Sequence, residues 1–71
     1  MRGIIKFYNE EREFGFIFSP EINEDLYFNK KSFRSDRLPH KKQRVEFKIT
    51  ETKRGKAAED ICLLRYDYVS E

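Results

Sequence analysis

Phe14, Phe16 and Phe18 recur at every second position across Phe14-Gly15-Phe16-Ile17-Phe18. Successive strand side chains point to opposite faces, so the three rings share one side while Gly15 and Ile17 take the other. Spacing alone leaves two outcomes open. With the ring side inward, these residues are an aromatic core. With Gly15 and Ile17 inward, a row of rings faces solvent, and such a row usually marks a binding surface. The chemistry on offer is then stacking, and nucleobases are the flat, sequence-tolerant partner it suits.

Charge is segregated along the chain. The stretch 10–25 holds six acids and one base, net −5, while 30–44 holds seven bases and one acid, net +6 with His40 neutral. The formal total of +2 conceals both. A basic flank favours phosphate over carboxylate partners, although a lysine-rich run is also what a solvated loop looks like.

Short strands must position these groups. Arg2 to Asn9 is β-rich, with Ile5 and Phe7 on one parity and Ile4, Lys6 and Tyr8 on the other. After a turn at Asn9-Glu10-Glu11, Phe14 to Phe18 forms a second strand, stopped at Ser19-Pro20 because proline cannot donate to a ladder. Leu26-Tyr27-Phe28 is a short third strand. Residues 29–43 lack periodicity, contain Pro39 and read as a long basic loop. Arg44 to Thr50 alternates without a fault, placing Val45, Phe47 and Ile49 inward. A turn over Thr52 to Lys56 leads to a fifth strand, Ala57 to Leu64. Five short strands separated by turns indicate an all-β barrel or sandwich, and a barrel removes the exposed edges of so small a sheet.

Other classes of chemistry find little support. Seventy-one residues make one small domain. Cys62 is the lone cysteine, so an internal disulfide is impossible; within an apolar strand it is expected as a small core residue. One histidine, His40, and one cysteine are too few for a zinc site. No nucleophile has a suggestive histidine and carboxylate nearby, and no phosphate-binding glycine loop is present, so neither an enzyme, a cofactor nor a small-molecule substrate is expected. The opening Met1 to Lys6 is charged by its sixth residue and carries no long apolar run. A signal peptide or membrane span is not expected, and the cytoplasm is the expected location.

The motifs then resemble a known family in order. Met1-Arg2-Gly3-Ile4-Ile5-Lys6-Phe7-Tyr8-Asn9 is similar to the opening of the cold-shock domain, where Gly-x-Val-Lys-Trp-Phe-Asn is typical. Arg12-Glu13-Phe14-Gly15-Phe16-Ile17 resembles its first RNA-binding motif, Lys-Gly-Phe-Gly-Phe-Ile. Asp25-Leu26-Tyr27-Phe28-Asn29 stands where the second, Asp-Val-Phe-Val-His, belongs. Gln43-Arg44-Val45-Glu46-Phe47 and Gly55-Lys56-Ala57-Ala58-Glu59-Asp60-Ile61 resemble the fourth and fifth strands. The resemblance spans residues 1–64, leaving 65–71 as a C-terminal tail that either continues the last strand, covers part of the barrel or frays.

The resemblance implies a five-stranded antiparallel Greek-key barrel of the oligonucleotide-binding (OB) fold, with single-stranded RNA or DNA crossing its second and third strands. It also implies which way the rings face. Ile5, Ile17, Leu26, Phe28, Val45, Phe47 and Ile61 become core, and Phe7, Phe14, Phe16 and Tyr27 become the stacking platform. Lys6, Arg12 and Lys30 lie beside that platform and would neutralise phosphates. Asp25 either accepts a hydrogen bond from a base edge or stabilises the turn into the third strand. Asn29 would offer hydrogen bonds where the family carries a histidine ring.

Several positions depart from the pattern. Phe7 replaces a tryptophan, Glu13 a glycine, Lys30 an aromatic and Lys56 a proline, so binding is expected to be weaker and more salt-dependent than is usual for the family. Two functions are consistent with these residues. One is a monomeric, non-catalytic single-strand binder, RNA-chaperone-like in trapping unpaired segments. The other is a barrel that uses the same face for a protein partner or for dimerisation.

Overall fold

Alternation between buried and exposed side chains builds five strands: β1 (Arg2–Asn9), β2 (Phe14–Ser19), β3 (Glu24–Asn29), β4 (Arg44–Thr52) and β5 (Gly55–Leu63). A 3₁₀ turn over Lys30–Ser32 follows β3. The computed structural model describes residues 1–35 and 37–64, so the expectations for the tail 65–71 lie outside the described residues.

The strands close into a barrel in the order β1-β2-β3-β5-β4. Four pairings are antiparallel, and the fifth, between β3 and β5, is a parallel contact through Tyr27 and Ala57. The expected five-stranded barrel is therefore present, with one parallel seam. That seam continues through a bridge between Phe33 and Ile61, and the Arg34 N–H donates to the Ile61 carbonyl at 2.8 Å. Here the stretch expected as loop from residue 29 gains structure: it opens as a 3₁₀ turn and buries Phe33 against Phe28, with ring centroids 6.5 Å apart. A single apolar side chain in a polar run has no period to reveal it.

All seven side chains expected inside are buried, joined by Phe33, Ala57 and Ala58. Ile49 is partly buried against this cluster. Cys62 is not in the core; it is exposed. Its neighbour Ile61 is fully buried, and strand alternation turns the next side chain outward.

β1 carries the feature that matters most for the outer surface. Ile5 pairs with Ile17, but Phe7 pairs with Phe16, so two steps on β1 match one on β2. Lys6 is the extra residue of a β-bulge, which reverses the facing of the residues after it. Phe7, on the same parity as buried Ile5, is thereby exposed, and Tyr8 is turned half inside to stack on Phe28 at 6.0 Å. Gly15 pairs with Tyr8 just past this bulge, where a Cβ would collide with the Phe7 carbonyl oxygen and lie 2.9 Å from the Phe28 ring. Only glycine admits so close an approach.

Candidate nucleic-acid interface

The bulge and the β1–β2–β3 register assemble four rings on one outer face. Phe7 lies beside Phe16 and Phe16 beside Tyr27 in the ladder, with Phe14 two residues along β2. Phe14 is the hub: its centroid is 6.0 Å from Phe7, 6.1 Å from Phe16 and 5.8 Å from Tyr27, the last nearly parallel at 23°. Phe16 and Tyr27 meet edge-on at 6.1 Å. Edge-to-face neighbours fix one another and leave ring faces open. Phe7 and Phe16 remain 46% and 37% exposed despite these contacts. The strip continues along β2 to half-buried Phe18, which pairs with exposed Ile4; parity marks this extension, but stacking chemistry does not.

The charged residues expected beside the rings occupy different situations. Lys6 reaches across β2 to Asp25, its ammonium 3.1 Å and 3.4 Å from the two carboxylate oxygens. Each is thus the other's partner, and both are about half exposed, so the pair is cheap to open. Arg12 is exposed on the β1–β2 turn, where its backbone N–H donates to Asn9 Oδ1 at 3.0 Å. Lys30 opens the 3₁₀ turn, and its N–H donates to the Glu13 carbonyl at 2.9 Å, clipping the end of β3 to the β1–β2 turn. Asn29 pairs with Phe14 in the ladder, but its Oδ1 is buried with no hydrogen-bond partner, so that oxygen is not displayed on the ring face.

Acid gathers at the Phe14 end. Glu13 has φ of 59°, a left-handed conformation that glycine takes without strain, and its N–H donates to the Asn9 carbonyl at 2.7 Å. Burial pushes the Tyr8 phenol up from its usual pKa, and the charges of Glu13 and Glu10 push it further. At the Tyr27 edge, a groove of about 530 Å³ runs beside the β3–β5 seam, and the β4–β5 turn supplies Lys53 and Arg54 to its wall opposite β3. Nothing in the sequence joins Lys53 and Arg54 to Tyr27; only closure of the barrel does. Among the described residues, no three His, Cys, Asp or Glu side chains are grouped to hold a metal ion. No helix among them is long and apolar enough to cross a membrane.

Exposed rings in register, cations beside them and a hydrogen-bonded barrel beneath can stack unpaired bases and contact their phosphates. Comparison with known proteins points to nucleic-acid binding in general. The model of the 'Cold-shock' DNA-binding domain family matches residues 1–64. The chain is 32% identical over 66 residues to cold shock-like protein CspG of Escherichia coli, covering 90% of this chain and 94% of that protein. It is 36% identical over 64 residues to cold shock protein CapB of Pseudomonas fragi, covering 87% and 91%. Cold shock-like protein CspB of Bacillus cereus is 36% identical over 66 residues, covering 90% of this chain and all of that protein.

Proposed function

The chain belongs to the cold-shock DNA-binding domain family, and from that membership we propose that it binds single-stranded RNA or DNA by stacking bases on Phe7, Phe14, Phe16 and Tyr27. The family is one of nucleic-acid binders rather than enzymes. The observation that carries the reading is the four-ring patch itself, held by three hydrogen-bonded strands with two rings substantially exposed. Each stacked base contributes on the order of 1–3 kcal/mol with little regard to its identity. Arg12, Lys30 and Lys6 contact phosphates, Lys6 after exchanging Asp25 for a phosphate oxygen. Acting as a monomer in the cytoplasm, the protein holds unpaired segments open in the manner of an RNA chaperone.

Titration of the labelled protein with oligo-dT and oligo-U, followed by amide shifts, tests this. Perturbations should centre on the four rings and fade with salt, by about 0.7 in the log–log slope for each phosphate contacted. No binding at submillimolar protein in low salt would reject the reading.

A further inference from the structure

Beyond the Phe7 edge of the platform lies a second cleft, of about 280 Å³, between β1 and the end of the long loop. Lys6, Phe7 and Tyr8 form one side; Leu38, Pro39, His40 and Lys41 form the other. Phe7 is the most exposed of the four rings and meets only Phe14 among the rings of the described residues, so one side of it is available to this cleft. Glu10 is the one carboxylate in the lining.

The opposite wall is held in place. The Lys42 N–H donates to the Ile5 carbonyl at 2.7 Å, and the Ile5 N–H donates to the Gln43 carbonyl at 2.9 Å. These two bonds bracket the residue just before the bulge that turns Phe7 outward. The segment from His40 to Gln43 is itself closed: the Gln43 N–H donates to the His40 carbonyl at 3.2 Å, and Gln43 Oε1 accepts from the His40 N–H at 2.8 Å. Lys41 and Lys42 occupy the two corners of this turn. Lys42 has φ of 75°, where glycine is favoured and a lysine is strained. Of the two lysines, Lys41 lines the cleft. The end of the basic loop is therefore tied to β1 beside the cleft that Lys41 and Phe7 both line.

We infer that this cleft is an additional nucleotide site, extending the strand's path one position past Phe7. The base lies against the free side of Phe7 over half-buried Leu38, and its phosphate is held by Lys41 and His40. The inference rests on the platform reading above, and the two fail differently. A ring bordered by Lys41 and His40 on a fixed turn has the parts of a nucleotide subsite: an apolar face for the base and a basic donor with a second hydrogen-bonding side chain for the phosphate.

The test compares the wild type with the double variant His40→Glu, Lys41→Glu, and separately with Phe16→Ala. Each is titrated with oligo-dT lengthened one nucleotide at a time. Both substituted loop positions are exposed, so the fold is expected to be unchanged, as the amide spectrum will show. In the wild type, the nucleotide that reaches the cleft should tighten binding about fivefold or more. In the double variant that step should vanish while shorter oligomers bind as before, and the salt slope for the longer one should fall by about 0.7. A loss of affinity equal at every length would mean that the loop acts only through its overall field, and the site would be rejected. An unchanged step would reject it as well. If Phe16→Ala binds every length as the wild type does, it is the platform reading that fails.

Discussion

The wall formed by β1, β2 and β3 and the wall formed by β4 and β5 share one core yet offer solvent different chemistry. Inward, both present aliphatic and phenylalanine side chains, with Ile5, Ile17 and Phe28 meeting Val45, Phe47 and Ile61. Outward, the first wall shows rings and the second shows Glu46, Lys48, Glu59 and Cys62. Each wall also contains a β-bulge, and the two are used differently. On β1 the extra residue frees a ring for the surface. On β5 three steps match two on β4 around Asp60, whose φ is 51°. There the displaced side chain accepts from Arg34 at 2.8 Å and 2.9 Å and lies 3.7 Å from Lys48, tying the segment after the 3₁₀ turn to β5. One irregularity enlarges the exposed aromatic face, and the other closes the barrel. A small barrel thus keeps its exposed rings and this charged closure on separate walls, joined through the core and the β1–β4 and β3–β5 seams.

The sharpest way to break that separation is to compare two phenylalanines one strand apart. Phe28 is fully buried, so Phe28→Ala should lower stability by about 3–5 kcal/mol in urea unfolding, a large part of what a small domain has. Phe16→Ala should cost only about 1 kcal/mol of stability but weaken oligonucleotide binding by about 1–3 kcal/mol. If Phe16→Ala unfolds the protein while binding per folded molecule is unchanged, the outer rings are core after all.

The core is legible in the sequence, and the bulges are not. Val45, Phe47 and Ile49 alternate without interruption, so β4 can be read directly. Phe7 cannot, because its parity matches that of buried Ile5; only a resemblance to known motifs places it outside, and the structure supplies the reason in Lys6. The apolar surroundings of Cys62 point to the core, but Ile61 beside it fills that place and leaves the thiol outside. Phe33, Lys53, Arg54 and the Phe7–His40 cleft all depend on contacts between distant segments, which local patterns do not encode. The Lys6–Asp25 pair is of the same kind, since it spans an intervening strand.

Glu13 and Asp60 sharpen the comparison further, because both are acids at positive φ on opposite walls. Among the described side-chain contacts, Asp60 has cationic partners and Glu13 shows none. Glu13→Gly should therefore stabilise the fold by roughly 0.5–1 kcal/mol, since relief of left-handed strain outweighs the added freedom of the unfolded chain. It should also tighten oligonucleotide binding by removing an acid beside Phe14, and lower the Tyr8 phenol toward its usual value. Asp60→Gly should gain less or lose stability, because the same relief is set against the loss of the Arg34 contact. Equal gains at both positions would mean that the ion pair on the second wall contributes nothing.

The smallest effect concerns pH. The hydrogen bond from Arg34, and then its charge, hold the Asp60 carboxyl below its usual pKa, with Lys48 adding to the effect. A carboxyl lowered on folding contributes stability that is fully present above its unfolded value, near 4, and is lost as pH falls through the lower folded value. Asp60→Asn should therefore melt closer to wild type in strong acid than at neutral pH, with oligonucleotide affinity at neutral pH unchanged. Thermal melts of both proteins across the acid limb read this out directly. Parallel curves would show that Asp60 does not hold β5 to the 3₁₀ turn. A change in affinity would show that the second wall, with its bulge given over to closure, takes part in binding as well.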